Sequence, residues 1–174
     1  MTEPSRAPPP IGDRAARDGD FGLRIGRDGT WYHDDSPIRR LTLAKLFATV
    51  LRRDPDGTYW LVTPAERGRI LVEDVPFIAV ELNVTGRFRD QILSFRTNLD
   101  DRVEAGENHP LRVVTDPRSG EPSPYVLIRP GLEARLARPV FYQLVDLGID
   151  EAVGGLPSFG VWSNGKFFPL GDPV

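Results

Sequence analysis

The sequence predicts an α+β fold: two small, closely packed domains related by internal duplication, each an antiparallel sheet capped by one helix. Three observations carry this. Seventeen glycines and 17 prolines in 174 residues punctuate short β-prone runs, which suits many turns and argues against a helical bundle. Two stretches hold a strong helical period. Each is preceded by a proline (Pro37, Pro139) and followed by a hairpin carrying a tryptophan (Trp60, Trp162). A competing register aligns Asp54-Pro55 and Gly57 with Asp116-Pro117 and Gly120, each followed by Tyr-x-Leu. Either repeat occurs only twice, so the chain is not a solenoid.

Taken in order, residues 1–19 hold Pro4, Pro8, Pro9 and Pro10 among mixed charges, with little to bury, and predict a disordered arm. An N-terminal domain is expected over 20–76 and a C-terminal domain over 77–174. Phe21, Leu23 and Ile25 alternate as a strand should, and Thr30–His33 makes a second. From Ile38 the period turns helical. Thr42 is the expected N-cap, and Leu43, Leu46, Phe47, Val50 and Leu51 the expected buried face. Asp54-Pro55-Asp56-Gly57 turns the chain into a hairpin, Tyr59–Thr63 with Ile70–Asp74. Phe77–Val84, Gln91–Asn98, Leu111–Thr115 and Tyr125–Arg129 read as further strands, with a long polar loop over 104–110. Asn164-Gly165 between Phe159–Ser163 and Lys166–Leu170 is the strongest hairpin signal in the chain.

Residues 124–148 hold the densest mix of core and charge. Arg129-Pro130-Gly131 predicts a turn. Leu132, Ala134 and Leu136 alternate with Glu133, Arg135 and Ala137, the period of a half-buried strand. Pro139 suits the first turn of a helix, and Phe141, Leu144, Val145 and Gly148 at i, i+3, i+4 and i+7 give its apolar face and its stop.

Composition narrows the function. Net charge is −3 with acids and bases interspersed, so no basic stripe points to an extended nucleic-acid partner. The absence of cysteine removes disulfides and thiolate chemistry and suits a reducing compartment. With no apolar run near the length of a membrane span and no signal-like N-terminus, a cytoplasmic location is expected. The sequence lacks a phosphate-binding loop and a nucleophile elbow. Only His33 and His109 are present, so a multi-histidine zinc site within one chain is not available. His33-Asp34-Asp35 and Asp100-Asp101-Glu104 read first as solvated acidic turns and second as metal or acid–base groups.

The basic constellation is the stronger candidate. Arg129 ends a strand, Arg135 lies on the polar face of the next, and Arg138 opens the following helix. Guanidinium forks suit phosphate or carboxylate, and a helix N-terminus adds backbone donors. Trp162, Ser163 and Lys166 add an aromatic face, a hydroxyl and a cation at a hairpin tip. Thr63, Glu66, Thr97 and Asn98 are further ligand-binding candidates as polar groups at strand ends.

The ordered set Trp31, Pro37-Ile38-x-Arg40, Leu61-Val62-Thr63-Pro64-x-Glu66, Val72-Glu73-Asp74-x-Pro76-Phe77, Thr97-Asn98, Arg129-x-Gly131-Leu132-Glu133-Ala134-Arg135, Arg138-Pro139-Val140-Phe141-Tyr142 and Val161-Trp162-Ser163-x-Gly165 resembles the DUF1285 family of uncharacterised bacterial proteins across residues 20–172. The resemblance implies a duplicated α+β core, a C-terminal domain like the pleckstrin-homology fold, a site for a nucleotide-like ligand between the domains and a role in signal transduction. It implies no catalytic residues and no cofactor. The expected function is therefore a non-enzymatic protein binding a small anionic, nucleotide-like ligand at the domain interface, with Arg129, Arg135, Arg138 and Lys166 neutralising phosphate and Trp162 stacking. The alternatives are a protein-interaction adaptor using sheet edges or the N-terminal arm, and a metal-assisted hydrolase built on His33 and the acids.

Overall fold

The computed structural model describes residues 17–171. The fold is α+β and mostly sheet, with two helices, two six-stranded sheets and one three-stranded sheet. In the N-terminal half, β1 (Arg17–Ile25), β2 (Trp31–His33) and β3 (Ser36–Pro37) precede helix α1 (Leu41–Thr49), and β4 (Leu51–Arg53), β5 (Tyr59–Val62) and β6 (Glu66–Val72) follow it. The sheet order is β3-β2-β1-β6-β5-β4. The predicted arm lies outside the described residues except at its end, where residues 17–19 run in β1 beside β6.

In the C-terminal half, β7 (Phe77–Thr85), a 3-10 turn (Phe88–Asp90), β8 (Ile92–Thr97), β9 (Arg102–Glu104), β10 (Leu111–Thr115), β11 (Pro122–Arg129) and β12 (Leu132–Leu136) lead into helix α2 (Arg138–Asp146). The second sheet runs β10-β11-β12-β7-β8-β9. Counted from its own first strand, each six-stranded sheet has the order 3-2-1-6-5-4. The expected purely antiparallel sheets need correction: each contains one parallel join, β1 with β6 and β7 with β12. Such a join links the first and last strands of the half, which run the same way and need the long intervening chain as crossover. A third sheet, β13 (Ile149–Val153), β14 (Leu156–Ser163) and β15 (Lys166–Gly171), follows α2.

Local chemistry explains most elements. In β12, Leu132, Ala134 and Leu136 are buried and the alternate positions are not, as the period required. Asn164 and Gly165 both take positive φ, 49° and 74°, the pair a two-residue hairpin needs. Helix α1 departs from expectation. Its N-cap position is Arg40, which makes no side-chain cap, and Thr42 already lies inside the first turn. Its buried residues are Ala44 and Ala48, whereas Leu46 is 62% exposed. The two alanines take the inward side of the helix, and the bulky apolar positions are turned to one side. Leu51 has left the helix and starts β4.

One hydrophobic cluster runs through both halves, from Ile25, Trp31 and Leu51 to Phe77, Phe95, Val126 and Leu144. Removing a side chain such as Phe77 completely from water contributes about 1.5–3 kcal/mol. Trp31 stacks on Phe47 at 6.0 Å between ring centroids, and Trp60 is covered by Arg67 at 4.0 Å. Both belong to the packed structure. No described helix is long and apolar enough to cross a membrane.

Candidate functional site

The seam between the halves is dense with protein partners. Arg129 donates from Nη2 to the carbonyl of Ala48 at 2.8 Å, reaching the end of α1. Arg135 Nη1 lies 3.6 Å from Asp74 Oδ2, and the Tyr125 hydroxyl donates to Asp74 Oδ1 at 3.0 Å. Burial, followed by the neighbouring Asp74 carboxylate, pushes the Tyr125 phenol above its usual range. Asn98 accepts from the Ile78 amide at 3.0 Å and donates to the Gly29 carbonyl at 3.4 Å. Lys45 donates to Asp100 at 2.6 Å, and Arg96 adds a second contact at 3.2 Å. These bonds, the Lys45 one foremost, hold the Asp100 carboxyl below the ordinary carboxylate range. Asp100, expected first in a solvated acidic turn and second as a metal or acid–base group, is thus an ion-paired tie between the halves.

The ten predicted ligand residues do not converge. Arg129, Asn98 and Thr97 are structural: Thr97 is fully buried, and its hydroxyl accepts from the amides of Leu99 and Asp101. Ser163 is equally buried, accepting from the Leu93 amide at 2.9 Å and donating to the Ala105 carbonyl at 2.7 Å. Thr63 closes the β5–β6 turn through the Glu66 backbone. Trp162 donates from Nε1 to Glu151 at 3.1 Å, with Arg89 over its ring. Lys166 is exposed on β15, its nitrogen 5.6 Å from the Phe168 ring centre. Glu133, which alternates with Arg135 on the same strand, binds Arg112 through two bonds of 2.7 and 2.8 Å.

Arg135 and Arg138 do come together, at the start of α2. They line a cleft of about 330 Å³ with Glu121, Pro124, Phe141 and Tyr142. Arg135 arrives there because β12 places alternate residues outward, and Arg138 because it is the first residue of α2. Phe141 and Tyr142 follow at i+3 and i+4, so their rings stand on the same side of the helix. Arg138 has no ion-pair or hydrogen-bond partner among the described residues. Residue 139 is proline, which carries no amide hydrogen, and the positive end of the helix dipole lies at this end of α2. Trp162 belongs to a separate concavity of about 300 Å³, together with Asp146 and Leu147 at the other end of α2. Nine helical residues place the two ends about 12 Å apart. The proposed pairing of the arginine wall with the Trp162 hairpin therefore does not form. Tyr142 and Phe141 take the place of Trp162 as aromatic neighbours. Their i+3 and i+4 spacing from Arg138 was the signal in the sequence for this.

The His33 turn places Asp34 and Asp35 at positive φ, with Asp35 94% exposed, and His33 Nε2 lies 3.5 Å from Asp34. Among the described residues no group of three or more histidine, aspartate or glutamate side chains is arranged to hold a metal ion. His109 faces inward, its Nδ1 2.9 Å from the Leu127 carbonyl.

Two family models match the chain. The N-terminal domain of DUF1285, a domain of unknown function, matches residues 9–75, and the C-terminal domain of the same family matches 76–170. A crystal structure of a DUF1285 family protein from Silicibacter pomeroyi DSS-3 is similar at 44% identity and a TM-score of 0.83, covering 97% of this chain and 90% of that one. Another, from Shewanella baltica OS155, is similar at 25% identity and a TM-score of 0.56, covering 72% and 91%. No curated protein matches.

Proposed function

The chain belongs to the DUF1285 family, and from that premise we propose that it is a cytoplasmic, non-enzymatic protein that binds a small anionic, nucleotide-like ligand in the cleft at the start of α2. One observation carries the reading: Arg135, Arg138 and the rings of Phe141 and Tyr142 line the same cleft beside a helix N-terminus. Phosphate would lie on Arg138 and the first-turn amides, where charge and dipole agree. Tyr142 is 59% exposed and offers an open ring face for stacking. Glu121 would accept from hydroxyl or amino groups of the ligand.

The site stands beside the seam, and this supports a signalling role. An anion in the cleft competes with Asp74 for Arg135, whose contact at 3.6 Å is a long one. Occupancy would then weaken one tie between the halves. The shared strand order of the two sheets supports descent by duplication. The run of six strands followed by α2 supports the pleckstrin-like reading of the C-terminal half.

The test is calorimetric titration of a panel of nucleoside mono-, di- and triphosphates into wild type and Arg138→Ala. Binding is expected for at least one member, weakened about tenfold in the variant, as loss of one charge-assisted contact of about 1.4 kcal/mol implies. Absence of binding to every member, or equal affinity in both proteins, refutes the reading.

A further inference from the structure

A second concavity lies on the N-terminal half. It holds about 470 Å³ between α1 and the first sheet, with Phe21, Leu23 and Leu61 on the sheet and Leu43, Phe47 and Val50 along the helix. We propose that this groove is the seat of the chain's own N-terminal arm, and that Pro8-Pro9-Pro10-Ile11 is the segment that fills it.

Position comes first. β1 enters the sheet at Arg17, whose backbone pairs with Glu66, the first residue of β6. Glu66 lines the groove, and so does Thr63 across the β5–β6 turn. The chain before residue 17 therefore arrives at the mouth of the groove. Just inside, Gly19 pairs with Gly68. An added Cβ at Gly68 would collide with the Phe21 ring, so this ring lies over Gly68 and forms the floor beside the entry.

Length and composition come second. Ile11 stands six positions before Arg17, which lets it reach about 20 Å from the entry. The helical wall from residue 43 to residue 50 is about 10 Å long. The arm is thus long enough to turn back and cover it. The N-terminal domain of the family is matched from residue 9, ahead of β1, so this stretch belongs to the domain. Pro8 to Ile11 is uncharged and apolar, whereas Glu3, Arg6, Asp13 and Arg14 punctuate the sequence around it. Successive prolines suit an apolar groove with aromatic walls. They present flat rings, bring no amide donors to be buried unpaired, and have little backbone freedom left to lose. Phe21 and Phe47 supply the aromatic walls. Tethering at Arg17 favours this occupant over a foreign one, because a linked segment is present at an effective concentration on the order of millimolar.

The test is disulfide trapping in the full chain, which has no cysteine of its own. Ile11→Cys is paired either with Leu43→Cys in the groove or with Leu71→Cys. Leu71 is 62% exposed and lies an odd number of positions from Glu66 on β6, hence on the opposite face of the sheet. It is about 17 Å along the strand from the entry, within the reach of the arm. Under mild oxidation the Leu43 pair is expected to close at least tenfold faster than the Leu71 pair. Val50→Cys gives the same comparison if Leu43→Cys does not fold. Replacing Pro8, Pro9 and Pro10 together by glycine is expected to slow closure of the groove pair at least threefold, and an unchanged rate overturns the assignment of this segment. Equal closure on the two faces, or faster closure on Leu71, overturns the proposal. So does closure that yields mainly covalent dimers on a non-reducing gel, which would make the arm of a second copy the occupant.

Discussion

Ser163→Ala is expected to lower stability by about 2 kcal/mol without touching ligand binding. The hydroxyl is spliced into the β8–β9 ladder: Ala105 donates its amide to the Leu93 carbonyl at 2.8 Å, but the Leu93 amide donates to Ser163 Oγ, which passes a proton on to the Ala105 carbonyl. The serine thus clips the third sheet to the second. Alanine removes the bridge and leaves its Cβ in the gap, so Leu93 and Ala105 cannot close directly. Ala105 keeps a donor, because Asn164 Nδ2 reaches its carbonyl at 2.9 Å. One group, the buried Leu93 amide, is therefore orphaned, at a cost of about 1–3 kcal/mol. In urea, at a slope of about 2 kcal/mol/M, the midpoint should fall by about 1 M with the slope unchanged. In a thermal scan the same loss amounts to about 4–8 °C. A loss under about 0.5 kcal/mol would mean that the ladder closes without the hydroxyl, and the bridging argument would fail.

Three other predictions concern the seam. Gly29 holds φ at +84°, and an added Cβ would stand 2.8 Å from both Asn98 Nδ2 and Ile78 Cγ1, so Gly29→Ala should cost about 1–3 kcal/mol by chemical denaturation. Tyr125→Phe removes the hydroxyl donor from Asp74, whose Oδ2 is already buried without a hydrogen bond, and should cost about 1–3 kcal/mol in the same assay. Asp100 titrates below its usual value of 3.8 in the folded chain. Its contribution is therefore complete above that value and disappears as pH falls through the lower folded pKa. Melting temperatures of wild type and Asp100→Asn should differ at pH 6 and converge toward pH 2; a constant gap across that range would contradict the assignment.

What could be read from the sequence followed the range of the interactions involved. The Asn164-Gly165 hairpin, the β12 alternation and the proline-led α2 depend on neighbours within a few positions, and all three stand as expected. Ser163 and Arg129 resemble ligand groups in sequence because their partners lie far away along the chain: Leu93 is 70 positions from Ser163, and Ala48 is 81 from Arg129. Polar type and strand-end placement cannot separate a buried clip from a binding group when the acceptor is a remote carbonyl. Leu46 failed for a different reason. Side-chain size favours the leucines of α1 as the buried set, whereas the residues buried in the fold are Ala44 and Ala48. Arg135 and Arg138 were read correctly as neighbours because a strand end and a helix start meet there. Trp162 stands apart from them because the nine residues of α2 separate its concavity from the arginine cleft.

The joining of first strand to last carries a consequence for how the chain is made. Phe77 pairs with Ala134, about 57 residues later, and closing a loop of that length costs about 3.6 kcal/mol before any contact repays it. During synthesis β7 can gain β8 early, but its other edge waits until β12 has left the ribosome. The N-terminal half meets the same requirement by Val72. The two halves should therefore mature in order, the first sheet completed while the second is still half a sheet, and premature termination between residues 85 and 132 should release a chain with β7 exposed along one edge.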